Sequence, residues 1–219
     1  SRQGPIQRTE IADRTWSSQV SVKGVRQNRD RRGHPISVDS IATSNKQETI
    51  LAHHHVTGKQ QNSKMCLVCG LKNPHGLKAS FYELDNKELV CVFKPSDGHQ
   101  SYPGRLHGGI TTALLDETIG RAIMMRHKEM LWGVTVEFTT KFKKPIPLHQ
   151  ELRVVGRITN DTSRFFEGTG EVLLPDGEVA ATGHGKYIKL PLEKIADFDA
   201  EEQEWKVVSS GRDPKIFEF

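Results

Sequence analysis

Cysteine is scarce in this chain of 219 residues: only Cys66, Cys69 and Cys91 occur, too few for a disulfide framework. No apolar run reaches the roughly 18 residues that a membrane span requires. The opening residues hold no continuous apolar stretch of the secretory type. Together these absences lead us to expect a reduced, cytoplasmic setting and no membrane partner. Aromatic residues make up 7% and hydrophobic residues 35% of the chain, with a mean hydropathy of -0.54. So polar a composition implies that part of the chain lies outside the core. Strong net charge is lacking too, and the +4 present is lopsided: residues 1–60 carry +5 and the remainder -1. The pI near 8.9 therefore belongs to the leading segment, and nucleic acid is not an expected partner of the rest.

What is present divides the chain in three. Residues 1–60 are rich in Arg, Gln, Ser, Thr and Asn, with apolar residues standing singly, and read as a basic, largely disordered leader. His53-His54-His55 within it could suggest metal, but three adjacent histidines more often carry no such role. Residues 61–199 have the texture of a folded domain, and 200–219 form a charged tail with scattered anchors (Trp205, Val207, Val208, Ile216, Phe217) that receives no assignment. Within the domain, 78–84 and 88–93 read as strands joined by the Asp85-Asn86-Lys87 turn. Residues 110–127 carry Ile110, Ala113, Leu114, Ile119, Ala122 and Ile123 at helical spacing. Four strands follow, at 131–142, 151–159, 165–174 and 179–190, the last two linked by Pro175-Asp176-Gly177. The segment 192–198 could add a short helix. One apolar helix cannot cover six strands unless the sheet curls around it.

The chemistry concentrates at the start of that helix, in Ser101-Tyr-Pro-Gly-Arg-Leu-His107-Gly108-Gly109. N–H groups in a helix's first turn have no intrahelical partner. Without a Cβ, glycine lets them approach a carbonyl oxygen that gains charge on attack. Gly108 is thus a candidate oxyanion donor. Asp116 lies in the most apolar part of the helix, where desolvation strengthens a carboxylate as base or nucleophile. It sits roughly 12 Å from Gly108 along the axis, so the two would meet at one substrate atom only across a subunit interface or along an extended substrate. The plain alternatives are a tight Gly-Gly turn and a solvated acid.

Beyond these residues, the span from about 64 to 199 resembles the PaaI-type acyl-CoA thioesterases of the hotdog superfamily. The carriers are Cys66-Leu-Val-Cys-Gly-Leu-Lys-Asn-Pro-His-Gly-Leu, Tyr102-Pro-Gly-Arg-Leu-His-Gly-Gly, Leu114-Leu-Asp-Glu, Gly133-Val-Thr-Val-Glu-Phe and Phe142-Lys-Lys-Pro. The resemblance implies an α+β hotdog fold, a curved antiparallel β-sheet wrapped around one central helix. It also implies a homodimer or homotetramer with active sites at the dimer interface. The implied reaction is hydrolysis of acyl-CoA to free acid and CoA, without a cofactor. Asp116 would attack or activate water, the Gly108 N–H would bind the thioester oxygen, and Thr135 would orient the water from across the interface. His107 would position the loop or touch the thioester, while Gly109, Tyr102 and Arg105 would contact substrate. A polar helper is expected near Gln100 or Ser101, and neither aligns with certainty.

Other residues keep open readings. Glu117 points about 100° away from Asp116 and is expected to pair with a basic residue. Cys66 and Cys69 tempt a zinc assignment, with His75 as a third ligand. A zinc site needs about four ligands and no second Cys pair exists, so no metal is expected. Lys141, Lys143, Lys144 and Arg153 could meet CoA phosphates or simply protect strand ends. Two rival functions remain at this stage. A non-catalytic acyl-CoA-binding hotdog module would not need Asp116, and the leader lacks the paired helices of a DNA-binding regulator. A hotdog hydratase or dehydratase would be expected to use a His with a carboxylate in a different loop pattern.

Overall fold

A computed structural model describes residues 52–127, 131–197 and 199–219. Eight strands form one antiparallel sheet: β1 (His53–Lys59), β2 (Ser80–Leu84), β3 (Leu89–Phe93), β4 (Trp132–Phe142), β5 (Leu152–Asp161), β6 (Phe165–Leu173), β7 (Val179–Leu190) and β8 (Ile216–Glu218). Their order across the sheet is β4-β7-β6-β5-β3-β2-β1-β8. A single α-helix, α1 (Gly108–Ala122), is prolonged by a 3-10 turn at Ile123–Met125. This is the hotdog arrangement.

Alternation builds the sheet. In β6 every second residue is buried, from Phe166 to Val172, and β5 buries Leu152, Val154 and Ile158 on the helix side. The two hairpin turns form as their residues suggest, with Lys87 at φ 65° and Gly177 at φ 83°, backbone states that favour Gly, Asn or Asp. Leu114, Leu115, Ile119, Ala122 and Ile123 of α1 are fully buried against Phe81, Phe93, Val154, Phe166, Val172 and Tyr187. Each large aliphatic side chain so buried stabilises the fold by about 1.5–3 kcal/mol. The helix sits unusually close to the sheet: a Cβ on Gly168 would lie 2.5 Å from Ile119 Cγ2 and 2.6 Å from the Arg157 carbonyl oxygen. Only glycine allows that approach.

Two elements depart from the sequence reading. Residues 53–59, placed in the leader, form β1, so the domain begins before residue 61; the leader up to residue 51 lies outside the described residues. Residues 216–218, placed in the unassigned tail, form β8, which pairs with β1 through His53–Glu218, His54–Phe217 and His55–Ile216. The three histidines are therefore sheet residues. His54 stacks on Phe219 with ring centroids 4.9 Å apart, and His53 lies 3.2 Å from the Glu218 carboxylate. On the outer face, Phe217 is buried with Tyr82, Leu84, Val90 and Val155. Asp213 ties the tail down further, accepting from Lys59 Nζ at 2.7 Å and from Tyr82 OH at 3.0 Å. The helix expected at 192–198 shrinks to a 3-10 turn, Leu192–Lys194. Among the described residues no helix is long and apolar enough to cross a membrane.

Candidate active site

The loop before α1 is held by its own backbone. Gln100 Oε1 accepts the Gly104 N–H at 2.7 Å, and Gly104 takes φ 72° to complete the turn. Gln100, a possible polar helper, is thus engaged in shaping the loop. His107 is the N-cap of α1: its backbone is extended, and its Nδ1 accepts the Gly109 N–H at 2.9 Å. That bond gives His107 a positioning role and leaves the Gly109 N–H already occupied. Gly108 follows as the first helical residue, and among the described residues its N–H has no protein acceptor. It opens into a cleft of about 380 Å³ lined by Tyr102, Arg105, Leu106, Thr111, Phe142, Lys143, Lys144 and Ile146, among others. Tyr102, Arg105 and Gly108 therefore share one cleft, together with two of the basic residues weighed for phosphate contact. Lys144 also pairs with Glu178. Lys141 faces a separate hollow, and Arg153 lies over the Phe217 ring at 5.1 Å.

Two turns along α1, Asp116 lines a different cavity of about 270 Å³ with Glu117, Gly120, Arg121, Met124, Trp132, Gly133, Thr135, Tyr187, Trp205, Cys66 and Cys69. Thr135 Oγ1 donates to Asp116 Oδ1 at 2.9 Å. Strand β4 has a register irregularity between Thr135 and Glu137, the kind of local kink that re-aims side chains beside active sites. Tyr187, stacked on Phe166 with centroids 4.7 Å apart, donates from its hydroxyl to the Asp116 main-chain oxygen at 3.1 Å. Desolvation raises the Asp116 carboxyl above its ordinary value, and the neighbouring Glu117 charge adds to the rise, against the opposing hydrogen bond from Thr135 and the nearby Tyr187 hydroxyl. The resemblance implied Thr135 from the opposite subunit; here the contact lies within one chain.

Glu117 finds the basic partner expected of it, accepting from Arg121 Nε at 2.9 Å. Sequence reasoning missed Arg121, Tyr187, Trp132 and Trp205. Arg121 was legible as the i+4 partner of Glu117. The T-shaped packing of Trp132 on Trp205, centroids 4.7 Å apart, joins β4 to the tail and has no local signal. A larger crevice of about 600 Å³ lies between 150–153, 173–177 and the last two residues. It holds none of the candidate catalytic groups; Asp116 and the start of α1 lie in the two smaller cavities.

Residues 103–181, which include Gly108, Asp116 and Thr135, match the family described as the thioesterase superfamily. Over that stretch the chain is similar to the superfamily. Among curated relatives, acyl-coenzyme A thioesterase THEM4 of Rattus norvegicus is 32% identical over 90 residues, covering 41% of this chain and 35% of the relative. THEM4 of Xenopus laevis is 33% identical over 69 residues, 31% of this chain and 29% of the relative. The matches thus span about a third of the length of these relatives. In fold, the crystal structure of a thioesterase superfamily protein superposes with a TM-score of 0.52 at 24% identity, covering 56% of this chain and 59% of the other.

Proposed function

We propose that this protein hydrolyses acyl-CoA thioesters to the free acid and CoA. One observation carries the reading: a carboxylate, Asp116, sits in a largely apolar cavity with one oxygen held by Thr135 at 2.9 Å. Such a carboxylate can attack the thioester carbonyl or draw a proton from water, while Thr135 orients the attacking group. The Gly108 N–H, at the positive end of α1, stabilises the oxyanion. The reaction calls for no prosthetic group.

Asp116 and Gly108 open into separate cavities of one chain, so the reading joins them through a second copy. Strand β4 is the last strand on its side of the sheet. Its outward residues include Val136 and Phe142, 54% and 58% exposed, an unpaired apolar edge that favours a partner strand. The Asp116 cavity borders β4 at Thr135, and the Gly108 cleft borders it at Phe142. An antiparallel β4 from a second copy, with its two-fold axis between Phe138 and Thr139, sets Thr135 of one chain opposite Phe142 of the other. Asp116 of one subunit then faces Gly108 of its neighbour, with Arg105, Lys143 and Lys144 placed for the CoA phosphates. A cytoplasmic homodimer, alone or doubled into a tetramer, completes the proposal.

The test is thiol release from a panel of acyl-CoAs by the wild-type chain and Asp116→Asn. Turnover by the wild type and its near-total loss in the variant are expected. Wild-type turnover in the variant sinks the assignment, and tight CoA-ester binding by the wild type without thiol release marks a binding module.

A further inference from the structure

Thioester hydrolysis leaves one group of residues on the wall of the Asp116 cavity without a task. The Sγ atoms of Cys66 and Cys69 and a carboxylate oxygen of Glu117 all lie within 4.8 Å of one another. The spacing of Cys66 and Cys69 suggested metal but offered too few ligands; folding brings Glu117, from the middle of α1, into the same cluster.

We propose that Cys66, Cys69 and Glu117 bind a zinc ion, with the fourth position filled by water from the cavity. Ideal Zn–S and Zn–O bonds in a tetrahedron place ligand atoms about 3.5–3.8 Å apart. Cys66 Sγ is already 3.3 Å from Glu117 Oε2, so the cluster needs only a small contraction or expansion to close on an ion.

The loop presents backbone donors to Cys66. The N–H groups of Val68 and Cys69 donate to Cys66 Sγ at 3.3 and 3.4 Å, and such bonds strengthen when the sulfur is ionised. Gly70 N–H returns to the Cys66 carbonyl at 2.9 Å, closing the turn. A Cβ on Gly70 would lie 2.3 Å from that carbonyl oxygen, so the tight turn depends on glycine.

Outer partners orient the ligands, as around a working metal site. Arg121 Nε takes Glu117 Oε1 at 2.9 Å and leaves Oε2 facing Cys66. The same guanidinium donates from Nη2 to Cys69 Sγ at 3.2 Å, and Ser63 Oγ lies 3.4 Å from that sulfur. Arg121 is 5% exposed, with Phe81 4.4 Å from its guanidinium carbon. Two thiolates, one carboxylate, the Arg121 cation and a zinc ion sum to no net charge, which is what a buried cluster requires. Two soft sulfur ligands select zinc over magnesium or calcium. An iron–sulfur cluster would need more cysteines. The ion would pin the 66–70 loop to α1 next to Asp116.

The full chain, purified under reducing conditions, equilibrated with zinc and passed through gel filtration, should retain one zinc per chain by mass spectrometry of the metal. Cobalt substitution of the wild-type protein should give sulfur-to-cobalt charge-transfer bands with tetrahedral visible absorption, a result that depends on no substitution. Cys66→Ser and Cys69→Ser should lose the metal. Arg121→Lys, which alters an outer partner only, should weaken binding about 10- to 100-fold. Zinc should also shield both thiols from alkylation. Loss of all zinc on gel filtration, or a cobalt spectrum without sulfur bands, overturns the proposal. So does ready closure of a Cys66–Cys69 disulfide by mild peroxide in the presence of zinc, which assigns the pair to redox chemistry instead.

Discussion

The two cavities bordering β4 contrast in almost every respect. At the Thr135 end the walls are tryptophans, a buried tyrosine, two cysteines, the Asp116 carboxylate and the Glu117–Arg121 pair; at the Phe142 end they are an exposed tyrosine, an arginine, two lysines and the Gly108 backbone. One is equipped to activate a nucleophile, the other to hold a polar, anionic molecule and an oxyanion. Neither completes a thioester hydrolase by itself. In the proposed reaction, the acid two turns along α1 meets the N–H at its start only beside another copy.

The largest effect is expected from the first cavity. Asp116→Asn should lower kcat by about 10²–10⁴-fold, measured by thiol release, with little change in CoA binding because the second cavity is untouched. Next, Gly108→Pro removes a single N–H at the first helical position, where proline is well tolerated. The preceding His107, at φ -67° and ψ 133°, already has the backbone a following proline requires. A loss of about 10²–10³-fold in kcat is expected, with an unchanged helical circular dichroism signal. Mixing the two inactive variants after mild dissociation probes the contrast directly. Shared sites predict recovery of about a quarter of wild-type activity, since hybrid dimers regain one intact site. No recovery would mean that each chain uses its own pair.

Smaller effects follow at the basic end. Arg105→Ala should raise KM for acyl-CoA by about 5- to 10-fold, the worth of one charge-assisted bond, and leave kcat alone. The difference should shrink at high salt. The smallest concerns the opposite end, where Asp161 bonds His127 at 3.0 Å and also pairs with Lys189. Burial pushes the Asp161 carboxyl up, but the bonds from Lys189 and His127 outweigh it and hold the group below its ordinary 3.8. A carboxyl lowered on folding contributes stability that is present above 3.8 and is lost as pH falls through the lower folded value. Urea melts of Asp161→Asn should therefore match wild type at the acid extreme and fall below it above pH 4.

Helix α1 and strands β2 to β7 were legible because each writes its period into the sequence: Leu114, Leu115 and Ile119 at helical spacing, alternation in 165–173, and Gly177 in a tight turn. Strand β1, His-His-His-Val-Thr-Gly-Lys, has no such pattern. It is specified by pairing with β2 on one side and with β8, more than 150 positions away, on the other, which no local window registers. Asp116 and Gly108 could be picked out as chemical groups, but not the cavities that separate them. The contact of Thr135 with Asp116 depends on a kink in β4, and the approach of Glu117 to Cys66 on a loop returning over α1. Both are properties of packing. His107 adds a local case: its Nδ1 caps α1 by accepting the Gly109 N–H two residues on.

The closing pair of strands has a further implication. Ala52 and Phe219 exchange backbone hydrogen bonds, N to O, at 3.2 and 3.4 Å. The beginning and end of the folded domain are thus nearest neighbours. A short bridge could join them and the chain be reopened at the Asp85-Asn86-Lys87 turn, giving a circular permutant with the same sheet order. In such a molecule β1 and β2 would follow helix α1 instead of preceding it, and the domain would still close.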